Sequence, residues 1–154
     1  MTRDEMVALA RSTAAAHDLD EALVCALCEH ESEGWNAWAV RYEPAFFSKY
    51  VAPLYASGKI SVTEAYARGF SYGLGQVMGQ TARELGFANE FLTELCDPPV
   101  GLEFACRKLA KALHDAAGNV TSALLKYNGG ANPNYPNLVL PLMPKYQPAA
   151  ETAT

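Results

Sequence analysis

The side chains of this chain best suited to proton transfer are three glutamates, Glu29, Glu31 and Glu43. The first two follow an uninterrupted apolar run, Ala22 to Cys28, which as a helix would be apolar on every side and must therefore be surrounded by protein. At about 100° per residue, Glu31 projects on an apolar side of that helix and Glu29 points nearly opposite. Because burial disfavours a charged carboxylate, Glu31 could stay protonated near neutral pH and act as a general acid. The alternative is a helix-end glutamate paired with an arginine or lysine.

Glu43 lies in a segment that is dense in aromatic rings: Trp35, Trp38, Tyr42, Phe46, Phe47 and Tyr50. Rings beside a candidate acid can form a wall on which sugar rings stack, or they can belong to the core, and the sequence leaves both interpretations open. Glu43 also precedes Pro44, where a short helix could begin. It is therefore either a further acid beside such a wall or a helix-dipole partner or ion pair.

A glycine-rich stretch, F-S-Y-G-L-G-Q-V-M-G, surrounds three polar side chains, Ser71, Tyr72 and Gln76. Glycines this frequent indicate close approach of the backbone to another group, and Gln76 is an uncharged donor and acceptor. The Lys-Ser/Thr ending of a phosphate loop is missing, and the glycine spacing without a preceding strand is weak for a dinucleotide site. The stretch is therefore a candidate for binding a neutral polar ligand.

The elements that must position these residues are predicted to be helices. Thr2 and Glu5 form a capping-box pattern before a helix over residues 3–16. Asp18 with Glu21 predicts the cap of a central helix that runs to about Ser32 and ends near Gly34. Three further start signals follow. Ser61 predicts the start of a short helix, and Asp97 with its following prolines predicts the start of a long helix that ends by residue 118. Asn119 predicts the start of a helix that ends at 128–130.

No segment shows convincing β alternation, so we predict an all-α fold. A length of 154 residues suits one domain, with its N-terminal helix within residues 1–18 and a frayed tail at 147–154. On the long helix, Arg107, Lys108 and Lys111 are expected to form a solvated basic side. The chain is thus predicted to be a single helical domain built around the buried helix that carries Glu31.

Composition excludes several classes of function. The net charge of −5 argues against duplex nucleic acid as a partner. No apolar stretch is long enough for a membrane span, and the N-terminus, M-T-R-D-E-M-V, lacks a hydrophobic signal segment. The four cysteines, Cys25, Cys28, Cys96 and Cys106, are interpreted first as free buried thiols; two disulfides or a zinc site are the alternatives.

Three stretches in this order carry a resemblance: C-E-H-E-S, S-Y-G-L-G-Q-V-M and K-Y-N-G-G. They resemble the E-S, G-L-M-Q and A-Y-N-x-G signatures of the soluble lytic transglycosylases and their goose-type lysozyme relatives. The similarity extends from about Leu19 to Tyr146. One departure is Gly75, which stands where the family usually has methionine. The resemblance implies a lysozyme-like all-α fold and an enzyme that cuts peptidoglycan glycan strands.

The resemblance also implies roles for individual residues. Glu31 matches the family's catalytic acid and Ser32 the serine beside it. Further positions expected to contact the substrate match the second and third signatures or lie beside them: Glu43, Ser71, Tyr72, Gln76, Met78, Tyr127 and Asn128. No metal or organic cofactor is implied.

The implied activity is a lytic transglycosylase that cleaves the β-1,4 bond between N-acetylmuramic acid and N-acetylglucosamine and leaves a 1,6-anhydromuramoyl product. The alternatives are a hydrolytic goose-type lysozyme with Glu43 as second carboxylate, and a non-catalytic wall-binding or virion structural module. The expected setting is a bacteriophage endolysin or virion-associated lysin. We expect a monomer that resides in the host cytoplasm or the virion before it acts on peptidoglycan in the periplasm.

Overall fold

The computed structural model describes residues 1–147, which are mostly helical. The α-helices are α1 (Arg3–Ala16), α2 (Glu21–Glu31), α3 (Pro44–Phe46), α4 (Ala52–Ala56), α5 (Val62–Arg68), α6 (Gly79–Glu84), α7 (Pro98–Asp115), α8 (Val120–Tyr127) and α9 (Tyr135–Val139). A π-helical turn, Phe47–Val51, joins α3 to α4, and 3-10 turns lie at Leu92–Cys96 and Leu140–Tyr146. The predicted all-α class is confirmed.

The helix starts follow the polar residues expected to cap them, with one correction. Thr2 and Glu5 form the predicted capping box of α1, and Ser61 and Asn119 accept backbone hydrogen bonds at the starts of α5 and α8. The predicted cap of α2 at Asp18 was wrong, because the carboxylate that accepts from the Leu23 N–H belongs to Asp20. Asp18 has a φ of 53° and lies in the left-handed turn after α1. Its backbone therefore lacks the extended conformation that a helix N-cap requires.

A small antiparallel sheet, which the sequence did not predict, lies between the helices. Its strands are β1 (Val40–Tyr42), β2 (Phe70–Tyr72) and β3 (Val77–Met78), in that order. Ser71 pairs with Arg41 on one side and with Met78 on the other. Strands of two or three residues are too short for an alternating pattern to identify them. The sheet matters for the site because the glycine-rich stretch forms its β2–β3 turn.

Helix α2 is the centre of the main core, as predicted. All seven residues of its apolar run, 22–28, are buried against α1, α9 and the turn Leu140–Tyr146. The four cysteines are buried and unbonded. Burial raises the pKa of the Cys25 thiol to about 11 and that of Cys106 to about 12, so both stay protonated and chemically quiet. The first interpretation of the cysteines, as buried free thiols, is confirmed.

A second hydrophobic cluster lies beside the sheet and includes Tyr72, Val77, Phe87 and Leu95. Long helix α7 serves both clusters, because Leu102, Cys106 and Leu109 pack on α2's side while Phe104 and Ala105 pack on the sheet's side. The β2–β3 turn approaches this cluster closely: a Cβ on Gly73, which has a φ of 65°, would lie 2.3 Å from the Leu95 carbonyl oxygen. Helix α7 therefore connects the part of the chain that holds Glu31 to the part that holds the glycine-rich turn.

Two predictions about the chain as a whole are not tested by this fold. The single domain over residues 1–154 stays a prediction, and the frayed tail falls, apart from Gln147, outside the described residues.

Among the helices that the structure describes, none is both long and apolar enough to cross a membrane.

Candidate active site

Glu31 is the last residue of α2 and remains partly exposed at the end of the buried helix. Its Oε1 accepts a hydrogen bond from the Tyr135 hydroxyl at the start of α9. Burial raises the pKa of Tyr135 well above its usual value, and the neighbouring Glu31 carboxyl adds to the shift, so the phenol keeps its proton and acts as a donor. Within residues 1–147 no arginine or lysine forms an ion pair with Glu31. The alternative, in which Glu31 is a helix-end glutamate paired with an arginine or lysine, is therefore not supported by the described residues.

The loop between α8 and α9 places Tyr135 beside Glu31. Asn128 ends α8, and its Oδ1 accepts from the Asn132 N–H at 2.9 Å. The Asn132 carbonyl oxygen in turn accepts from the Tyr135 N–H at 3.1 Å, and the Tyr135 ring meets the edge of His30 with centroids 5.3 Å apart. The amide of Asn128 thus organises the loop that delivers the hydroxyl to Glu31.

Glu29 serves a different purpose, as its direction on the helix predicts. Its carboxylate accepts hydrogen bonds from Lys145 at 2.9 Å and from the Tyr146 hydroxyl at 2.8 Å. Burial opposes ionisation, but these two donors outweigh it and lower the pKa of Glu29 below its usual value. The pair of glutamates is therefore divided: Glu29 ties the C-terminal turn to α2, and Glu31 faces Tyr135.

Ser32 is fully buried and holds the turn that follows α2. Its hydroxyl donates to the Cys28 carbonyl oxygen at 2.6 Å and accepts from the Trp35 N–H at 2.9 Å. Trp35 has a φ of 74°, an uncommon conformation for a bulky residue, which this hydrogen bond helps to hold. The side chain of Ser32 thus fixes the chain's exit from α2; its predicted contact with substrate stays a prediction.

The glycine-rich turn is held by its own polar side chains. The Gln76 amide nitrogen donates to the carbonyl oxygens of Ala39 and Gly73, both at 2.9 Å, and its oxygen accepts from the Ser71 hydroxyl at 2.7 Å. Gln76 has a φ of 44°. Both side chains are buried, and the Gln76 amide joins the turn to Ala39, the residue before β1. Their predicted role in sugar binding stays a prediction.

Two other residues of the second signature also lie inside the protein. The Tyr72 hydroxyl donates to the Ala67 carbonyl oxygen at 2.8 Å, and its ring belongs to the second hydrophobic cluster. Met78 is buried at the start of α6. Both side chains are buried, and the expectation that they contact substrate stays a prediction.

Tyr127 links the third signature to the second. Its hydroxyl donates to the Gly75 carbonyl oxygen at 2.7 Å, and its ring is buried. A Cβ on Gly75 would lie 2.4 Å from the Ala105 Cβ and 3.0 Å from the Tyr127 hydroxyl. This close packing explains why glycine stands at position 75. The three signature stretches therefore meet in space, through Tyr127 and the α8–α9 loop.

A family model described as Transglycosylase SLT domain matches residues 8–137, from α1 into α9. The chain belongs to this family. The match contains all three signature stretches and Tyr135. Comparisons with curated proteins and with solved structures found no match. Family membership assigns the chain to the lytic transglycosylases that act on peptidoglycan. The remaining site residues also lie within this SLT domain.

Lys108 is a residue of this SLT domain whose surroundings were predicted wrongly from the sequence. The sequence predicted a solvated basic side for α7, but the Lys108 side chain is partly buried and its Nζ lies 3.8 Å from the centroid of the Tyr127 ring. Burial lowers the pKa of Lys108 to about 8, and the charge of Glu31 opposes that fall. Helical periodicity alone could not find it, since a lysine on the border of the polar face can fold onto a neighbouring ring.

Glu43 lies at the start of α3 of the SLT domain without capping it by its side chain. Its carboxylate is paired with the Arg41 guanidinium at 2.5 Å, which is the ion-pair alternative that the sequence left open.

Within residues 1–147 no group of three or more His, Cys, Asp and Glu side chains could hold a metal ion.

The aromatic segment divides into one core ring and several surface rings. Trp35 is buried, whereas Trp38 is 79 % exposed and Tyr50 48 % exposed. The ring centroids of Tyr42 and Phe47 are 5.8 Å apart, and the Tyr66 ring stacks on Phe47. A cavity of about 500 Å³ lies beside Trp35 and Trp38. The core interpretation thus holds for Trp35, and stacking of sugars on the exposed rings stays a prediction.

Proposed function

We propose that this SLT domain cleaves the β-1,4 bond between N-acetylmuramic acid and N-acetylglucosamine in peptidoglycan, with Glu31 carrying the proton. The observation that carries the proposal is the Glu31 carboxyl itself. It ends a buried helix, stays partly exposed and accepts a hydrogen bond from Tyr135. Membership of the transglycosylase family supplies the class of substrate.

In the first step, protonated Glu31 gives its proton to the glycosidic oxygen as the C1–O bond breaks. The sugar passes through an oxocarbenium-like state, and the leaving sugar departs as an alcohol. The acetamido oxygen of the muramoyl unit can stabilise C1 at this stage. The Tyr135 hydroxyl favours the carboxylate that Glu31 becomes, because it donates a hydrogen bond to the charged form.

In the second step, the ionised Glu31 takes the proton of the muramoyl C6 hydroxyl while the C6 oxygen bonds to C1. The product is a 1,6-anhydromuramoyl end, and Glu31 is again protonated. One carboxylate serves both steps, first as acid and then as base, and no water is consumed.

The other signature residues support this chemistry by holding the turn and the loop around Glu31 in place. Tyr127 holds the glycine-rich turn through Gly75, and Asn128 holds the loop that carries Tyr135. We propose that the backbone of the turn built by Ser71, Tyr72 and Gln76 holds the sugar, since close approach of a backbone is what its glycines permit. Ser32 would act by fixing the chain that leaves α2.

The hydrolytic alternative needs a second carboxylate that activates water, typically ~6.5–9.5 Å from the acid for inversion. Glu43 is the candidate, and its pairing with Arg41 engages the carboxylate that would have to act as base. This pairing favours the transglycosylase reaction. The phage setting, the monomeric state and the location before release remain predictions from the sequence.

The test is Glu31→Gln, assayed by the clearing of permeabilised Gram-negative cells and by release of fragments from purified sacculi. We expect clearing to vanish while thermal unfolding and binding to sacculi persist. Glu33→Gln is the matched control, because Glu33 is an exposed carboxylate two residues further on. Clearing by Glu31→Gln at the wild-type rate would remove Glu31 from its role. Binding to sacculi without any turnover by the wild type would indicate the wall-binding module instead.

A further inference from the structure

The hydroxyl of Tyr146 lies between two residues that flank Glu31 in the chain. It accepts a hydrogen bond from the Trp35 indole N–H at 2.8 Å and donates one to the Glu29 carboxylate at 2.8 Å. Burial raises the pKa of Tyr146, so the phenol keeps its proton and can serve in both roles. The rings of Tyr146 and Trp35 also meet edge to face, with centroids 6.0 Å apart. One side chain thus connects the last turn of α2 to the chain that leaves it.

The segment that this hydroxyl spans has a strained backbone. Glu33, Gly34 and Trp35 follow one another with φ angles of 52°, 93° and 74°, all in the left-handed region. This conformation is unfavourable for Glu33 and Trp35, which carry side chains, and it persists only where surrounding contacts hold it. The turn that directly follows Glu31 therefore depends on contacts from outside it.

Tyr146 supplies such a contact through Trp35. The Trp35 side chain is buried, and its indole N–H finds an acceptor in the Tyr146 hydroxyl; without one, a buried donor would be left unpaired, which is unfavourable. Beyond Trp35 the chain reaches Ala39, whose carbonyl oxygen accepts from the Gly73 N–H at 2.8 Å. The same segment therefore connects Glu31 to the glycine-rich turn that we propose holds the sugar.

Tyr146 is itself firmly held. It ends the turn Leu140–Tyr146, which packs on α2 and lies beyond residues 8–137, the part of the chain that the family model matches. Its carbonyl oxygen accepts a hydrogen bond from the Arg11 guanidinium of α1. The hydroxyl is therefore presented to α2 by an element that none of the three signatures includes.

We propose that Tyr146 is a positioning residue for Glu31, and that its bridging hydroxyl fixes the strained turn which sets where the carboxyl meets the glycosidic oxygen. The inference rests on the proposed function. Tyr146 neither gives nor takes a proton in the reaction, and it acts through Glu29 and Trp35. Proton transfer requires the donor oxygen to lie within hydrogen-bond reach of its acceptor, so a small displacement of Glu31 slows the bond-breaking step.

The first test does not depend on turnover. The chain has two tryptophans, so in Trp38→Phe the indole N–H of Trp35 gives a single resonance in nuclear magnetic resonance. When Tyr146→Phe is added, we expect this proton resonance to move upfield and its exchange with solvent to become faster, because the acceptor is gone. An indole resonance and exchange rate that stay unchanged would overturn the bridge.

The second test separates positioning from stability. Tyr146→Phe keeps the ring and removes the hydroxyl, and we expect kcat on purified sacculi to fall about three- to tenfold with KM unchanged. The assay is run well below the unfolding temperature of each variant, where a purely structural contact would leave kcat at the wild-type value. Tyr55→Phe, on an exposed tyrosine of α4, is the control and should match the wild type. A wild-type kcat in Tyr146→Phe, with or without a lowered unfolding temperature, would overturn the positioning role.

Two further comparisons test the contacts through which Tyr146 acts. Glu29→Gln keeps an oxygen that can accept from the Tyr146 hydroxyl and Glu29→Leu does not, so only Glu29→Leu should lose kcat as Tyr146→Phe does. In a Trp35→Phe background, which already lacks the indole N–H, Tyr146→Phe should lower kcat less than it does in the wild type. Equal kcat in the two Glu29 variants, or strictly additive effects of Trp35→Phe and Tyr146→Phe, would overturn the bridge as the means of positioning.

These outcomes are distinguishable from failure of the proposed function. If Glu31→Gln clears cells like the wild type, the proposed function fails whatever Tyr146 does. If Glu31→Gln is inactive but Tyr146→Phe keeps the wild-type kcat, only the positioning role fails. Thermal unfolding of each variant shows whether a loss of activity reflects a loss of fold.

Discussion

The Tyr127 hydroxyl and the Gly75 carbonyl oxygen are joined by a 2.7 Å hydrogen bond across the contact between α8 and the β2–β3 turn. The bond links two signature stretches that lie about fifty residues apart in the chain. It requires close approach, since Ala105 of α7 leaves no room for a side chain on Gly75. This contact places the glycine-rich turn relative to the loop that carries Tyr135.

The first prediction concerns that approach. Gly75→Ala would bring its Cβ to 2.4 Å from the Ala105 Cβ, so the turn or α7 must shift. We expect a loss of about 1–3 kcal/mol of unfolding free energy, as for other overpacked sites. Thermal unfolding measures it, at about 2–4 °C per kcal/mol for a domain of this size.

The control for Gly75→Ala is the double variant Gly75→Ala/Ala105→Gly, which removes the opposing methyl group. We expect the two changes to be non-additive, with the double variant recovering part of the stability lost in Gly75→Ala. Strict additivity would show that Ala105 is not what excludes a side chain at position 75.

The second prediction decides what Gln76 does. Gln76→Asn keeps a residue that tolerates a positive φ but shortens the amide, so the carbonyl oxygens of Ala39 and Gly73 lose their donor. We expect about 1–3 kcal/mol of destabilisation. The measurement is thermal unfolding together with KM on purified sacculi. An unchanged unfolding temperature with a raised KM would instead make Gln76 a sugar contact.

The third prediction concerns the donor to Glu31. Tyr135→Phe removes the hydroxyl and leaves the ring against His30, so we expect the fold to persist while kcat falls. Hydrogen bonds to charged groups contribute about 1.5–3 kcal/mol, which corresponds to a loss of roughly ten- to a hundredfold. Tyr55→Phe, on an exposed tyrosine of α4, is the control. Undiminished kcat in Tyr135→Phe would mean that its hydroxyl does not act on Glu31.

The fourth prediction separates the two reaction types. Because the Glu43 carboxylate is paired with Arg41, we expect Glu43→Gln to clear cells within a few-fold of the wild type. Arg41→Gln is the companion variant, since it releases the carboxylate without removing it. Loss of activity in Glu43→Gln alone would support a hydrolytic site in which Glu43 activates water.

Much of the helical frame could be predicted from local chemistry. The capping box of α1 and the all-round apolar run of α2 are encoded in adjacent residues, and both appear where they were predicted. The opposite directions of Glu29 and Glu31 follow from helix geometry alone, which is why Glu29 was expected to find a separate partner.

The parts that sequence reasoning missed depend on contacts between distant segments. Tyr135 lies in a loop of asparagines and prolines, where nothing local indicates that its hydroxyl reaches a helix 104 positions away. Lys108 was assigned to solvent because its position on α7 borders the polar face, and only the packing of α8 puts a ring beneath its ammonium. The three short strands offer too few residues for any periodic signal.

The central claim, that Glu31 gives its proton to the glycosidic oxygen and takes it back from the C6 hydroxyl, is tested most directly by mass spectrometry of muropeptides released from purified sacculi. The account predicts products lighter by one water at the muramoyl end for the wild type, and none for Glu31→Gln. Reducing ends from the wild type, or anhydro ends from Glu31→Gln, would contradict it.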